Sequence, residues 1–122
     1  MAFSSGDLVR AMASDAGTAV ATLRVDGGAT ANDWLMQFQA DVLGLPVERP
    51  DMIETTALGA AGLAGIALGV WQSTEEFLTG RRFSAFPPQM PRDQADGRIR
   101  EWGRAVNAAL SWARDCEAPG VK

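Results

Sequence analysis

The sequence predicts an α/β fold, a short sheet packed by helices, and three observations predict it. Short apolar runs alternate with stretches whose apolar residues recur at helical spacing. The glycine-paired turn Asp26-Gly27-Gly28 joins one such run to one such stretch. A second extended piece, Pro46-Val47-Glu48-Arg49-Pro50, is bounded by prolines and follows the next helix. With 122 residues, 47% hydrophobic and 21% charged, the chain has the size and balance of one modest globular domain.

Taken in order, each element has its own signature. Ser4 and Asp7 stand three apart in a capping arrangement that predicts a first helix over Asp7 to Asp15, with Leu8 and Met12 as its apolar stripe and Gly17 as its stop. Ala19 to Val25 is short, apolar and β-branched at Val20, Thr22 and Val25, which predicts a buried strand. A second helix is predicted from about Ala31 to Leu43 on the spacing of Ala31, Leu35, Phe38 and Val42, and Gly44 ends it. Pro46 to Pro50 then reads as a strand of few residues, and Thr55 or Thr56 as the cap of a small-residue helix ending near Trp71. Helix, strand, helix, strand, helix implies parallel pairing. Glu75 to Leu78 makes a helical turn. Arg81 to Pro91 must be extended, because Pro87, Pro88 and Pro91 forbid a helix there. A last helix is predicted over Asp93 to Asp115, lined by Ile99, Trp102, Val106, Ala109 and Ala113.

Between Thr55 and Thr74 no residue is charged, a length that nominally spans a bilayer. Gly59, Gly62, Gly65, Gly69 and the alanines between them leave few large aliphatics, so the segment suits close packing on a sheet or helix rather than lipid.

Composition excludes several function classes. A net charge of −4 offers no broad basic surface for nucleic acid, and Arg98, Arg100 and Arg104, interrupted by Glu101, read as a solvated helix face. With no His and only Cys116, the usual nitrogen and sulfur metal sites and the His-dependent nucleophile systems are excluded. The first residues lack the basic and apolar regions of a signal peptide, and the lone Cys suits a reducing compartment, so a cytoplasmic location is expected.

The strand–turn–helix around Gly27 and Gly28 is the one constellation with a ligand-binding rationale. Glycines at such a junction admit a ligand close to backbone N–H groups, and the helix that follows points its positive dipole end into the same space. A plain tight turn is the competing reading. The dinucleotide fingerprint G-x-G-x-x-G is unmatched, and no Gly-Lys-Ser/Thr occurs for a P-loop. Asn32 can hydrogen-bond an adenine edge or ribose, or cap the helix; spacing leaves both open. Asp26 can act as a base or pin the glycine turn, and pinning is the better reading. The Trp residues at 34, 71, 102 and 112 read as core or interface anchors.

A denser pattern surrounds the turn. Leu23-Arg24-Val25-Asp26-Gly27-Gly28-Ala29, Ala31-Asn32, Leu35-Met36-Gln37-Phe38-Gln39, Val47-Glu48-Arg49-Pro50 and Glu54-Thr55-Thr56-Ala57-Leu58-Gly59-Ala60-Ala61 form the block that carries it. Phe86, Pro88, Met90, Arg104-Ala105-Val106 and Trp112 continue it. The sequence resembles the C-terminal segment of the FGGY carbohydrate kinases, and among them the glycerol kinases, over roughly residues 6–113. That resemblance implies an actin-like (ribonuclease H-like) ATPase domain, with residues 1–115 belonging to the C-terminal domain and 116–122 a flexible tail.

It also implies ATP and Mg2+ as cofactors, and Gly28 and Asn32, with Gly27 as the weaker candidate, as contacts to the ADP part of the nucleotide. Thr30 stands where an aliphatic is common, and Asp33, where a second Asn is common, adds a negative charge near the nucleotide site. In that family the glycerol pocket, the catalytic carboxylate and the first phosphate loop would precede Met1, so this segment carries no catalytic and no metal-ligating residue and is expected to be inactive alone. Two readings stay open: the C-terminal nucleotide-binding portion of a glycerol kinase, or a non-catalytic adenine-nucleotide-binding or interaction module on the same half-domain. Either exposes an apolar edge or face, and self-association or docking to a further kinase domain is expected.

Overall fold

The structure, a computed structural model, describes residues 1–117. Five helices and three strands run α1 (Ala2–Ala16), β1 (Leu23–Arg24), a 3-10 turn (Gly28–Ala31), α2 (Asp33–Leu43), β2 (Val47–Pro50), α3 (Thr55–Ala67), α4 (Thr74–Leu78), β3 (Phe83–Phe86) and α5 (Arg92–Glu117). The expected order of elements is present, and the differences from expectation each have a local cause.

The sheet has the order β1-β2-β3. β1 and β2 are parallel, with Leu23 opposite Val47, as the helix-linked strands require. β3 adds an antiparallel partner to β2, Val47 facing Phe86 and Pro50 facing Phe83, from a segment the prolines marked only as extended. β1 is far shorter than the Ala19–Val25 strand expected. It pairs only where β2 runs beside it, and beyond that ladder Ala19 and Ala21 are exposed.

The core forms where α2 lies on the sheet. Met36, Ala40 and Val47 are buried together, with Leu23, Val25, Leu35, Leu43 and Phe86 packed around them. Gly44 closes α2 in the left-handed conformation, φ 71, and returns its N–H to Ala40. That stop is what sends the chain back into β2.

Helix α1 begins at Ala2 rather than Asp7, so Ser4 and Asp7 lie inside it and its N-cap, Met1, makes no side-chain cap bond. Leu8 and Met12, the expected stripe, are 61% and 56% exposed. The inward face is made instead by Ala2 and Gly6, the latter close enough to α2 that a Cβ would meet Val42 at 3.6 Å. Phe3 stacks on Trp102 of α5 with centroids 5.5 Å apart and meets Phe38 of α2 edge-on at 5.6 Å. Asp7 accepts the Trp102 indole N–H at 2.8 Å. That bond first, and the Arg10 guanidinium second, hold the Asp7 carboxyl below its ordinary value.

The small-residue helix α3 ends at Ala67, short of Trp71. Trp71 folds back over Gly65, and Phe77 of α4 covers Gly62; the rings stand where a Cβ would be at either glycine. These two glycines are buried for that reason. The rest of α3 packs on nothing comparable: Leu63 is 72% exposed and Leu68 just beyond it 82%. Close packing was expected, and it occurs only on this one stripe and against a short helix rather than the sheet. No helix among the described residues is long and apolar enough to cross a membrane.

Arg98, Arg100 and Arg104 are exposed on α5, the solvated face the sequence suggests. Of the tryptophans, Trp71 and Trp102 are half-buried anchors, whereas Trp34 and Trp112 are largely exposed. α5 reaches Glu117, and the remainder of the expected 116–122 tail lies outside the described residues.

Candidate functional site

The glycine turn leaves the carboxyl end of β1 and is fixed at several points. Gly27 has φ 83 and ψ 167, a backbone region open essentially to glycine alone. Its N–H donates to the Ile53 carbonyl at 2.9 Å, tying the turn to the segment before α3. Its carbonyl accepts twice from Thr30, from the amide at 3.0 Å and from the hydroxyl at 2.7 Å. Thr30 is accordingly buried. Where an aliphatic would only fill space, its hydroxyl closes the turn.

Gly28 opens the 3-10 turn with no positive φ, and a Cβ added there or at Gly27 would meet nothing within 4 Å. The space in front of both glycines is therefore open, and their backbone can be approached closely.

Asn32 is the hinge between the 3-10 turn and α2, extended at φ −85 and ψ 100. Its Oδ1 accepts the Leu35 N–H at 3.1 Å, the capping role its position allows. An acceptor in that bond must be the oxygen, which assigns the amide group: Nδ2 is the other end. Asn32 is exposed, and among the described residues Nδ2 makes no hydrogen bond. Capping and ligand contact are thus compatible, since they use different atoms.

Asp26 does not bond the amides of the turn. It accepts the Thr55 hydroxyl, linking the end of β1 to the first residue of α3. This corrects the expectation that Asp26 pins the turn, and it explains why Thr55 does not cap its own helix, whose N-cap, Glu54, makes no side-chain bond. Beside Asp26 a cleft of about 490 Å³ is lined by Arg24, Thr55, Arg81 and Phe83 among others. Arg24 is already engaged there, paired with Glu48 at 3.1 Å and lying over the Phe83 ring at 4.8 Å. Gly27, Gly28 and Asn32 share one turn but none of them lines this cleft.

Arg49 escaped the sequence reading as a site residue. From β2 its Nη1 donates to the Thr30 carbonyl and to Asp33 Oδ1, each at 2.6 Å. The guanidinium lies over the Phe86 ring at 5.2 Å, and its side chain is only 18% exposed. A buried-side arginine in a four-residue strand, between Glu48 and Pro50, was the available signal, because a cation in such a place needs a partner. The charge of Asp33 is consequently balanced.

Residues 1–68 match the C-terminal domain of the FGGY family of carbohydrate kinases. A glycerol kinase of Burkholderia ambifaria is 50% identical over 121 residues, covering 96% of this chain and 24% of that protein. One of Dechloromonas aromatica is 52% identical over 114 residues, covering 93% and 23%. The chain thus spans about a quarter of the length of the curated relatives it matches. Among solved structures, Plasmodium falciparum glycerol kinase with ADP superposes with a TM-score of 0.72 at 34% identity, over 89% of this chain and 22% of that one. A ligand-bound xylulose kinase of Lactobacillus acidophilus, at 19% identity and TM-score 0.60 over 77% of this chain and 19% of that one, shares the fold. The small sheet packed by helices is therefore a piece of the actin-like ATPase fold. The chain belongs to the FGGY family of carbohydrate kinases and corresponds to part of its C-terminal domain.

Proposed function

We propose that this chain is the nucleotide-side wall of a cytoplasmic glycerol kinase, which transfers the terminal phosphoryl group of ATP to glycerol and yields glycerol 3-phosphate. Gly28 and Asn32, with Gly27 behind them, receive the ADP part of the nucleotide. The observation that carries this reading is the turn itself: open space before two glycines, with the unengaged Nδ2 of Asn32 at the start of α2. The ADP-bound glycerol kinase of similar fold supports it.

Phosphoryl transfer depends on positioning and on charge stabilisation from several elements at once. In this reading the glycerol pocket and the catalytic base come from sequence outside these residues, and Asp26 is structural. Mg2+ accompanies the phosphates of ATP. Among the described residues no three His, Cys, Asp or Glu side chains converge. A net charge of −4 offers no broad basic surface for nucleic acid.

Titration of ADP into the 122-residue chain tests the reading. Saturable binding is expected, weakened about tenfold in Asn32→Ala, the size of one good hydrogen bond. Equal binding by the two proteins, or none by either, would contradict it.

A second reading, a protein-interaction module, is favoured by one observation. Leu63, Leu68 and Val70 are 72%, 82% and 63% exposed around the end of α3. In the kinase reading the same surface docks to the rest of the enzyme, and in isolation it drives self-association. Sedimentation velocity is expected to show dimers or larger species that Leu68→Glu disperses. A compact monomer at every concentration would refute self-association.

A further inference from the structure

We propose that Arg49 is the positioning residue of the nucleotide turn, a role that rests on the nucleotide reading above. The bonds within the turn leave two of its groups without a partner: the Thr30 carbonyl and the carboxylate of Asp33, the first residue of α2. Arg49 holds both from β2, through one nitrogen, at 2.6 Å each. Asn32 lies between these two anchored residues, so its backbone is held from both sides, and the cap bond to Leu35 then aims its side chain.

The rigidity of that guanidinium has visible causes. It rests on the Phe86 ring, and its backbone is paired across β2 and β3 with Ser84. Arginine suits the task because Nη1 carries two N–H bonds fixed in the guanidinium plane, one for the carbonyl and one for the carboxylate, with less side-chain freedom to lose than lysine would have. The pairing also has an electrostatic consequence. A bare carboxylate at position 33 would repel the phosphates of a nucleotide lying along the turn, and Arg49 cancels that charge without offering its own to the ligand. Gly27 is fixed independently through Ile53, so the clamp acts on the Thr30–Asp33 end of the turn alone.

The test compares amide hydrogen exchange and ADP affinity in the wild-type chain, Arg49→Ala and Arg49→Lys. In Arg49→Ala the amides of Thr30, Asn32 and Leu35 are expected to exchange about tenfold faster, while those of α1 and α5 keep their protection. ADP binding weakens by about the same factor. Arg49→Lys, whose shorter side chain ends in a freely rotating ammonium with no planar group to rest on the Phe86 ring, recovers part of each. Adding Asp33→Asn to Arg49→Ala recovers affinity by removing the uncancelled charge, but leaves the exchange fast. Unchanged exchange in the turn, a uniform rise across the whole chain, or fast exchange with unaltered ADP affinity would each overturn the proposal. A wild-type chain that takes no ADP would instead overturn the nucleotide reading beneath it, and the exchange data separate the two failures because they need no ligand.

Discussion

Gly27→Val is expected to abolish measurable ADP binding and to lower stability by about 1–3 kcal/mol, the cost of forcing a β-branched residue into a glycine-only conformation. At φ 83 and ψ 167 the clash is between the side chain and its own backbone, since a Cβ there would meet nothing else within 4 Å. Relaxing it requires the turn to rotate, which breaks the bond to the Ile53 carbonyl and the two that Thr30 makes to Gly27. Gly28→Ala makes the contrast. Its φ is not positive and its surroundings are equally open, so stability is expected to stay within about 0.5 kcal/mol of wild type. Its methyl group nevertheless stands where the nucleotide approaches, and ADP affinity falls. Thermal unfolding and ADP titration of the two variants check both halves.

Asp41→Ala is expected to have a comparably large effect for a reason unconnected with the ligand. Asp41 is a buried carboxylate on α2. One of its oxygens accepts the backbone N–H groups of Gln89 at 2.7 Å and Met90 at 3.1 Å, and the Gln37 side chain at 3.1 Å. The proline-rich connection between β3 and α5 has little regular structure to hold it, so these bonds fix where α5 starts. Removing the carboxylate strands two backbone donors, at a cost of about 3 kcal/mol. Asp41→Asn keeps an acceptor and loses the charge, at about 1 kcal/mol. Urea unfolding gives both values, and ADP affinity at temperatures where the variants remain folded is expected to be unchanged.

What was legible in the sequence divides along physical lines. α2, its glycine stop and the two parallel strand partners follow from periodicity and from Gly44, signals local to each element. The turn at Gly27 was visible because a paired glycine leaves few conformational alternatives, and its flanks supplied the family. β1 was overestimated because a strand exists only as long as its partner does, and the length of β2 is not written in residues 19–25. α1 was misread at its start because Ser4 and Asp7 make a plausible cap, while the competing contact of Asp7 with Trp102 joins residues far apart in the chain. Pairing of Phe83–Phe86 with β2 was hidden for the same reason: prolines state that a segment is extended, not what it lies beside. Arg49 went unnoticed as part of the site, and the role of Thr30 in it was missed, because each acts through a neighbour. Thr30 even stood as a departure from pattern, although its hydroxyl is what closes the turn. Asp33 stood as an unfavourable charge until the structure paired it with Arg49.

The apolar surface of α3 has the reverse history. Its composition suggested burial, and the fold leaves much of it open. Burial of such a helix needs a surface that these elements do not provide, which is why the self-association expected of the chain is a consequence of the same architecture that presents the turn.

The most direct test of the central claim is amide NMR of the chain during addition of ADP. The largest displacements are expected on the backbone amides of Gly27 and Gly28 and on the side-chain amide of Asn32, saturating together. Displacements centred on the Arg24 and Arg81 cleft, or none at saturating ADP, would contradict it.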